Sequence, residues 1–431
     1  MKNVALHNLG CKVNGYELDV VTEKLRSRGF EIVPFDGPAD VYVINTCTVT
    51  NIADRKTRQM LHRARKQNPE ALIVAMGCYV DTHTAPTDAE ADTESPLWDL
   101  AVDNAGKKTV VEQIEAALTG RAAARDEETF RLSAPPSHTR AYIKIQDGCN
   151  QFCSYCIIPY ARGRIRSRLQ PEIIEEVRGL VSQGIREVVL TGIHLSSYGR
   201  DQAAPHAGLD GSALLALIRE LAEIPGLARI RLGSLEPRII TEDFVRGLAQ
   251  IPAVCPHFHL SLQSGCDSVL QRMNRHYTTA EYAAGVALLR RIYDRPAITT
   301  DVIVGFPGET EEEFAQTVSF LEALALYEIH VFKFSSRAGT VAAGMEGQLT
   351  EAVKAARSDV LLALTAEQAA AYRATFAGEI VQVLWEEWRE DAGGGRTLAG
   401  YTDRYVRVTI DEDAARSQGA APGQLTEIKM K

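Results

Sequence analysis

The sequence predicts an α/β protein made of an N-terminal parallel α/β domain, a central partial (β/α)6 barrel and a C-terminal small β-barrel. Three observations predict it. Strand-like and helix-like segments alternate through about the first 110 residues and again from Ala141 to about Ala338, the pattern of parallel sheets joined by helical crossovers. A long helical segment, Thr350 to Phe376, then gives way to short β-type runs. At 431 residues the chain is also too long for one ordinary core. The expected domains are 1–119, a linker at 120–140, the barrel at 141–345, a connecting helix at 346–371 and the β-barrel at 372–431.

In the first domain the strands are Val4 to Leu6, Val41 to Ile44 and Leu72 to Ala75, and a cysteine follows each: Cys11, Cys47 and Cys78. Open parallel sheets gather their functional loops at the carboxyl ends of the strands. Gaps of 36 and 31 residues are each about one βαβ unit long, so the three cysteines can converge. Residues 81 to 106, with Asp88, Glu90, Asp92 and Glu94, read as an exposed acidic excursion, and "GRAAARDEETFRLSAPPSHTR" at 120–140 reads as a linker without apolar period. The barrel strands are "YIKIQ", "EVVLT", "RIRLGS", "HFHLSLQ", "TDVIVG" and "IHVFKFS", with amphipathic helices between them. Six units suggest an open barrel with its chemistry at the strands' carboxyl ends, as in complete barrels. The tail carries "EIVQVLWEE", "YVRVTI" and "LTEIKM" around a "GGG" turn.

Composition narrows the function. Apolar content is 45%, and no apolar run approaches the ~20 residues of a membrane span. The N-terminus lacks the pattern of a signal peptide, so a cytoplasmic address is expected by default. Net charge is −9, so nucleic-acid binding would have to use local basic patches. Eight cysteines without a secretion signal point to metal or redox chemistry, not a disulfide scaffold.

The stretch "DGCNQFCSYC" begins directly after the first barrel strand and holds Cys149, Cys153 and Cys156 as C-x3-C-x2-C. Soft thiolates suit iron–sulfur clusters, zinc or copper(I). A structural zinc site would want a fourth ligand, and none follows within the next turn. Three ligands on a four-iron cube leave one iron open. Cys255 and Cys266 read as inert core thiols, and His257 and His259 as satisfied barrel-interior groups, because nothing else in the sequence completes a metal site beside them.

The cysteine loop resembles the signature of radical S-adenosylmethionine (SAM) enzymes. Together with "NLGCKVNGYELD", "VINTCTVT" and "MGCY" it resembles the radical SAM methylthiotransferase family over nearly the whole chain, including a C-terminal domain of the TRAM type. The resemblance implies two [4Fe-4S] clusters, one on Cys149, Cys153 and Cys156 that binds and cleaves SAM, and an auxiliary one on Cys11, Cys47 and Cys78 that carries the sulfur to be inserted. It implies SAM contacts from Tyr155 and from the strand-end stretches "LTGIHLSSYG", "RLGSLEP", "SLQSG" and "VGFPGET", through Thr191, Gly192, Glu236, Gln263, Val304 and Gly305. An electron donor such as flavodoxin or ferredoxin follows from the same resemblance.

Arg162, Arg164, Arg166 and Arg168 recur at period two, so an extended segment would place them on one face, suited to phosphate contacts. A second basic run, "RKTRQMLHRARK" at 55–66, follows Cys47 and contributes Arg55, Lys56 and Arg58 as further RNA-binding candidates. The last 60 residues hold eight Lys/Arg and ten Asp/Glu, so charge there does not independently support RNA binding. The sequence looks most like the branch that acts on N6-threonylcarbamoyladenosine at position 37 of tRNA. The alternatives are the branch acting on isopentenyl-adenosine at the same position, the branch acting on an aspartate of a ribosomal protein, and a non-enzymatic iron–sulfur RNA-binding protein.

Overall fold

The computed structural model describes residues 2–83, 97–120, 130–202, 210–390 and 394–430. Two compact units emerge: one of residues 1–136, 147–165 and 335–343, the other of residues 137–146, 166–334 and 344–431.

The first unit is built on a parallel sheet of β1 (Asn3–Asn8), β2 (Glu31–Val33), β3 (Val41–Thr46), β4 (Leu72–Gly77) and β5 (Leu100–Val102) in the order β2-β1-β3-β4-β5. Every residue of β3 is buried, as expected for a central strand covered on both faces. Alternate residues serve the two faces. Val4, Val43, Val74 and Met76 pack against Leu18, Val21 and Leu25 of α1 (Lys12–Ser27) and against Val110, Val111 and Ile114, which belong to α4 (Val110–Thr119). Ala5, Tyr42, Ile44 and Ile73 pack on the other side against Leu61 and Ala64 of α2 (Asn51–Gln67). The short α3 (Cys78–His83) starts where β4 ends.

Two expectations change here. The acidic excursion of 81–106 contains a real strand, β5, paired in register with β4, while its four acidic residues lie outside the described residues. The end of the linker is packed, not free: Phe130 joins the core under β1 and β4, Leu132 is buried, and Ser133 donates its N–H to Glu23. These residues carry an apolar pair too short to show a period.

The second unit contains six parallel strands. β6 (Ala141–Asp147), β8 (Glu187–Gly192) and β9 (Arg229–Leu232) form one ladder, with the two-residue β7 (Arg166–Ser167) on the outer side of β6. β10 (His257–His259), β11 (Ala297–Val304) and β12 (Glu328–Lys333) form another. Single parallel bridges Ile230↔Val254 and Leu235↔Leu260 join the two, giving the open (β/α)6 barrel. Its crossovers are carried by α6 (Gln170–Ser182), α7 (Ser212–Ala222), α8 (Glu242–Ala249), α9 (Asp267–Arg272), α10 (Thr279–Ile292) and α11 (Glu311–Leu324). Capping boxes Thr278/Glu281 and Thr310/Glu313 fix the starts of α10 and α11, the helices that lead into β11 and β12.

α12 (Glu351–Ala374) leads to an antiparallel sheet of β13 (Ile380–Glu390), β14 (Arg396–Thr402), β15 (Arg407–Asp411) and β16 (Leu425–Lys429), in the order β15-β14-β13-β16, with α13 (Glu412–Ser417) between the last two. Arg229 and Arg231 of β9 anchor this sheet by donating to the backbone oxygens of Gln382, Tyr401, Thr402 and Asp403. No described helix is long and apolar enough to cross a membrane.

Candidate active site

The order β1-β3-β4 puts three neighbouring strands side by side, and the three cysteines sit just past their carboxyl ends. Cys11 is the N-cap of α1, Cys47 follows β3 directly, and Cys78 opens α3. Gly10 lets the Cys11 turn close over Cys47: at φ +109°, an added Cβ would lie 3.1 Å from the Cys47 sulfur. Burial pushes the Cys47 thiol up to about 11, partly offset by the Val49 N–H, and the nearby Cys78, Cys11 and Asp54 charges push it further. The three thiols are therefore electrostatic neighbours.

The second trio belongs to the same compact unit. Its loop is closed by the Cys149 N–H on the Gly163 carbonyl (3.1 Å) and the Cys156 N–H on the Cys153 carbonyl (2.9 Å). Phe152 adopts φ +50°, and Gly148 is held so tightly that an added Cβ would meet the Arg164 carbonyl oxygen at 1.9 Å. The Gln151 N–H points at the Cys149 sulfur (3.4 Å). Tyr155 is half-buried on this loop.

Arg162 ties the two loops together. Its side chain is fully buried, and its guanidinium donates to the Cys78 sulfur (3.2 Å), to Glu17 (3.0 Å), to Asp147 (3.1 Å) and to Asn14 Oδ1 (2.6 Å). Burial works against its charge, but Glu17, Cys78 and Asp147 outweigh that and hold its pKa well above the ordinary value. Glu17 is buried too and also accepts from Lys107 (2.5 Å). Asn104 donates a second N–H to the Cys78 sulfur (3.6 Å) and bonds the Ala161 carbonyl (3.3 Å). The segment 335–343 closes the unit. The Ala342 N–H reaches the Ser154 carbonyl, and Arg337 bonds Thr48 (2.6 Å), Asn51 (2.7 Å) and Asp54 (2.6 Å) beside Cys47.

This arrangement fits iron–sulfur clusters better than single ions. On a tetrahedral zinc with Zn–S of about 2.3 Å, thiolates lie about 3.8 Å apart. Among the described residues, the sulfurs of neither trio gather within 4.8 Å of one another. N–H donors aimed at the sulfurs are the contacts that stabilise and tune cluster thiolates.

Arg162 thus leaves the arginine row. The chain is helical at Ile158–Arg162 (α5) and turns at Gly163, so period two does not hold there, and the buried Glu17 claims the guanidinium. Arg168 also turns inward, to Glu176 (2.6 Å) and the Lys144 carbonyl. Arg164, stacked over the Phe152 ring at 4.5 Å, and Arg166 are exposed. On α2, Asp54, Thr57, Leu61 and Ala64 face inward at helical spacing, which leaves Arg55, Lys56 and Arg58 exposed.

Within the barrel unit the other sequence candidates lie at strand ends. Thr191 is buried, and Gly192 abuts Gln146, whose Oε1 accepts the His194 N–H (2.8 Å). Glu236 is buried, with its N–H on Ser196 Oγ (2.8 Å). Burial raises its pKa, but His194 and Arg238 outweigh this and hold the carboxyl at about 2. Gln263 takes φ +72° and is pinned on both sides by β11, through the Asp301 carbonyl and the Ile303 N–H. A non-glycine residue held there is the kind of strain that marks ligand sites. Val304 is buried, and Gly305 donates its N–H to Glu309 (2.7 Å). Cys255 is fully enclosed, with its thiol pushed by burial up to about 12, which suits an inert core group.

Sequence reasoning missed Asn14, Glu17, Asn104, Lys107 and Arg337. A signal existed for the first two: Asn14 and Glu17 stand three and six residues after Cys11 on α1, on the helix face that Cys11 begins.

The Radical SAM superfamily profile matches residues 143–321, and that of Uncharacterized protein family UPF0004 matches residues 3–98. The chain is 39% identical to the threonylcarbamoyladenosine tRNA methylthiotransferase MtaB of Bacillus subtilis (strain 168), over 95% of this chain and 90% of that one. It is 36% identical to the protein of the same name from Thermotoga maritima, over 94% and 91%. It is 33% identical to the tRNA-2-methylthio-N(6)-dimethylallyladenosine synthase of Syntrophotalea carbinolica, over 92% of each. Among solved structures, the radical S-adenosylmethionine methyltransferase TsrM from Kitasatospora setae shares the fold, with a TM-score of 0.55 and 19% identity over 77% of this chain and 73% of that one. With two cysteine trios in one compact unit, a six-stranded open barrel and relatives of this identity along nearly its whole length, the chain belongs to the radical SAM methylthiotransferase family.

Proposed function

We propose that the protein is a tRNA methylthiotransferase that converts N6-threonylcarbamoyladenosine at position 37 to its 2-methylthio derivative. The observation that carries this reading is the coupling of the two trios: an enzyme that makes a radical and delivers a sulfur to the same carbon needs both centres within reach of one substrate atom. Arg162, six residues after Cys156 in the chain and hydrogen-bonded to Cys78, supports that reading. The choice of base rests on identity, which is 36–39% to relatives named for threonylcarbamoyladenosine and 31–34% to those named for dimethylallyladenosine.

Cys149, Cys153 and Cys156 would hold the cluster that binds SAM, and Cys11, Cys47 and Cys78 the auxiliary cluster. When bound, these groups supply SAM cleavage to a carbon radical and a docking iron for the sulfur to be inserted. The chain itself positions and insulates. Arg162 and Asn104 direct N–H groups at the Cys78 sulfur, Glu17 and Lys107 keep Arg162 in place, and Arg337 fixes the turn after Cys47. Tyr155, Thr191, Gly192, Glu236, Gln263, Val304 and Gly305 are proposed to hold SAM. Arg164, Arg166, Arg55, Lys56 and Arg58 are proposed to meet tRNA phosphates, since all five are exposed cations near the cysteine loops in sequence. A small iron–sulfur or flavin protein such as ferredoxin or flavodoxin would be the electron donor, in the cytoplasm.

The test is nucleoside mass spectrometry of tRNA from cells with and without the protein. The 2-methylthio derivative of threonylcarbamoyladenosine should disappear when the protein is removed. A change confined to the isopentenyl derivative, or to a ribosomal protein, would overturn the choice of substrate.

A further inference from the structure

The ladder β10-β11-β12 has one apolar face, with Phe258, Ile298, Val302, Val304 and Ile329 buried. Side chains alternate along a strand, so His259, Thr299 and Asp301 share the opposite face. His259 pairs in register with Thr299, and Asp301 with His330, which places His259, Asp301 and His330 on neighbouring positions of that one face. One nitrogen from each histidine and one carboxylate oxygen of Asp301 lie within 4.8 Å of one another, an arrangement that no other His, Cys, Asp or Glu trio among the described residues reaches. His259 Nε2 is 3.2 Å from Asp301 Oδ2, its Nδ1 is 2.9 Å from Thr299 Oγ1, and the His259 and His330 rings stack with centroids 5.5 Å apart.

We propose that His259, Asp301 and His330 bind a divalent first-row transition cation, with no cysteine among the ligands. Two imidazoles and one carboxylate are a donor set that such ions favour over calcium or magnesium. Thr299 is the outer partner that orients a ligating histidine: with the Nδ1 proton donated to the hydroxyl, Nε2 keeps its lone pair for the ion. Three adjacent strands of one sheet hold the donors on rigid backbone. Three protein ligands leave positions for water or for an oxygen atom of a bound molecule. Sequence reading dismissed His259 for want of partners; strand register supplies two.

A His259–Asp301 hydrogen bond needs no His330, so His330 separates a metal site from a plain polar pair. The experiment uses the full-length holoenzyme with both clusters reconstituted anaerobically. It is equilibrated with zinc, dialysed, and measured for zinc and iron by mass spectrometry, with zinc affinity from calorimetry. The wild type should retain one zinc beyond its iron. His330→Ala should weaken zinc binding at least tenfold, and Thr299→Val by about 10- to 100-fold, both at unchanged iron content and unchanged melting temperature. X-ray absorption at the zinc edge of the wild type should show nitrogen and oxygen at about 2.0–2.2 Å. This last measurement needs no variant to fold. No zinc beyond the iron, equal affinity in His330→Ala, or a sulfur shell at about 2.3 Å would each overturn the proposal.

Discussion

Cys149, Cys153 and Cys156 fall within eight consecutive positions on one loop, whereas Cys11, Cys47 and Cys78 come from three different strand ends. The first trio needs only a local conformation, supplied by positive φ at Gly148 and Phe152 and by the Cys149–Gly163 bond. The second needs the whole parallel sheet, because its members become neighbours only when β1, β3 and β4 pair side by side. A loop site should tolerate change in the domain around it and fail when its own backbone is altered. A sheet-end site should fail when the buried groups beneath it are disturbed. Arg162 joins the two, as it belongs in sequence to the loop and in its bonds to the sheet-end site.

The largest effects should come from the cysteines. Cys153→Ala should abolish 5′-deoxyadenosine and methylthio product together. Cys47→Ala should lose roughly half the iron and all product while still cleaving SAM. Iron content, 5′-deoxyadenosine and modified nucleoside on the same anaerobic preparations decide it. A folded Cys47→Ala protein that still transfers methylthio groups would remove the functional distinction between the trios.

Glu17→Gln should come next. Two buried cations, Arg162 and Lys107, share this carboxylate, and breaking a buried pair costs about 3–5 kcal/mol. A lowered unfolding midpoint, with the auxiliary iron lost before that of the loop cluster, would place the damage at the sheet-end site. Equal loss of both would show that Arg162 holds them as one unit.

Gly148→Ala should act on the other side of the comparison. The left-handed backbone alone costs an alanine ~1–3 kcal/mol, before the clash with the Arg164 carbonyl. The electron paramagnetic resonance signal of the loop cluster should change while that of the auxiliary cluster stays as it was. The smallest effect is expected from Arg164→Ala and Arg166→Ala. Each lost phosphate contact should flatten the salt dependence of tRNA binding by ~0.7 to 0.9 in log–log slope, with no change in iron. An unaltered slope would assign both arginines to ordinary solvated surface.

By itself the sequence determined the alternating α/β architecture, the C-x3-C-x2-C spacing of the loop cysteines and the placement of one further cysteine after each of three strands. These are legible because each is written in a short window: a period of apolar residues, a spacing of thiols, a strand and the residue after it. Only the tertiary structure decided the partners. Arg162 and Glu17 are 145 residues apart, so a guanidinium that looked like part of an exposed row proved to be a buried brace. The same holds for Arg337 beside Thr48, 289 residues away, and for His259 beside Asp301 and His330. Which polar side chains meet depends on strand order and register, and these are set by the packing of the whole sheet. No local stretch of the chain carries that information.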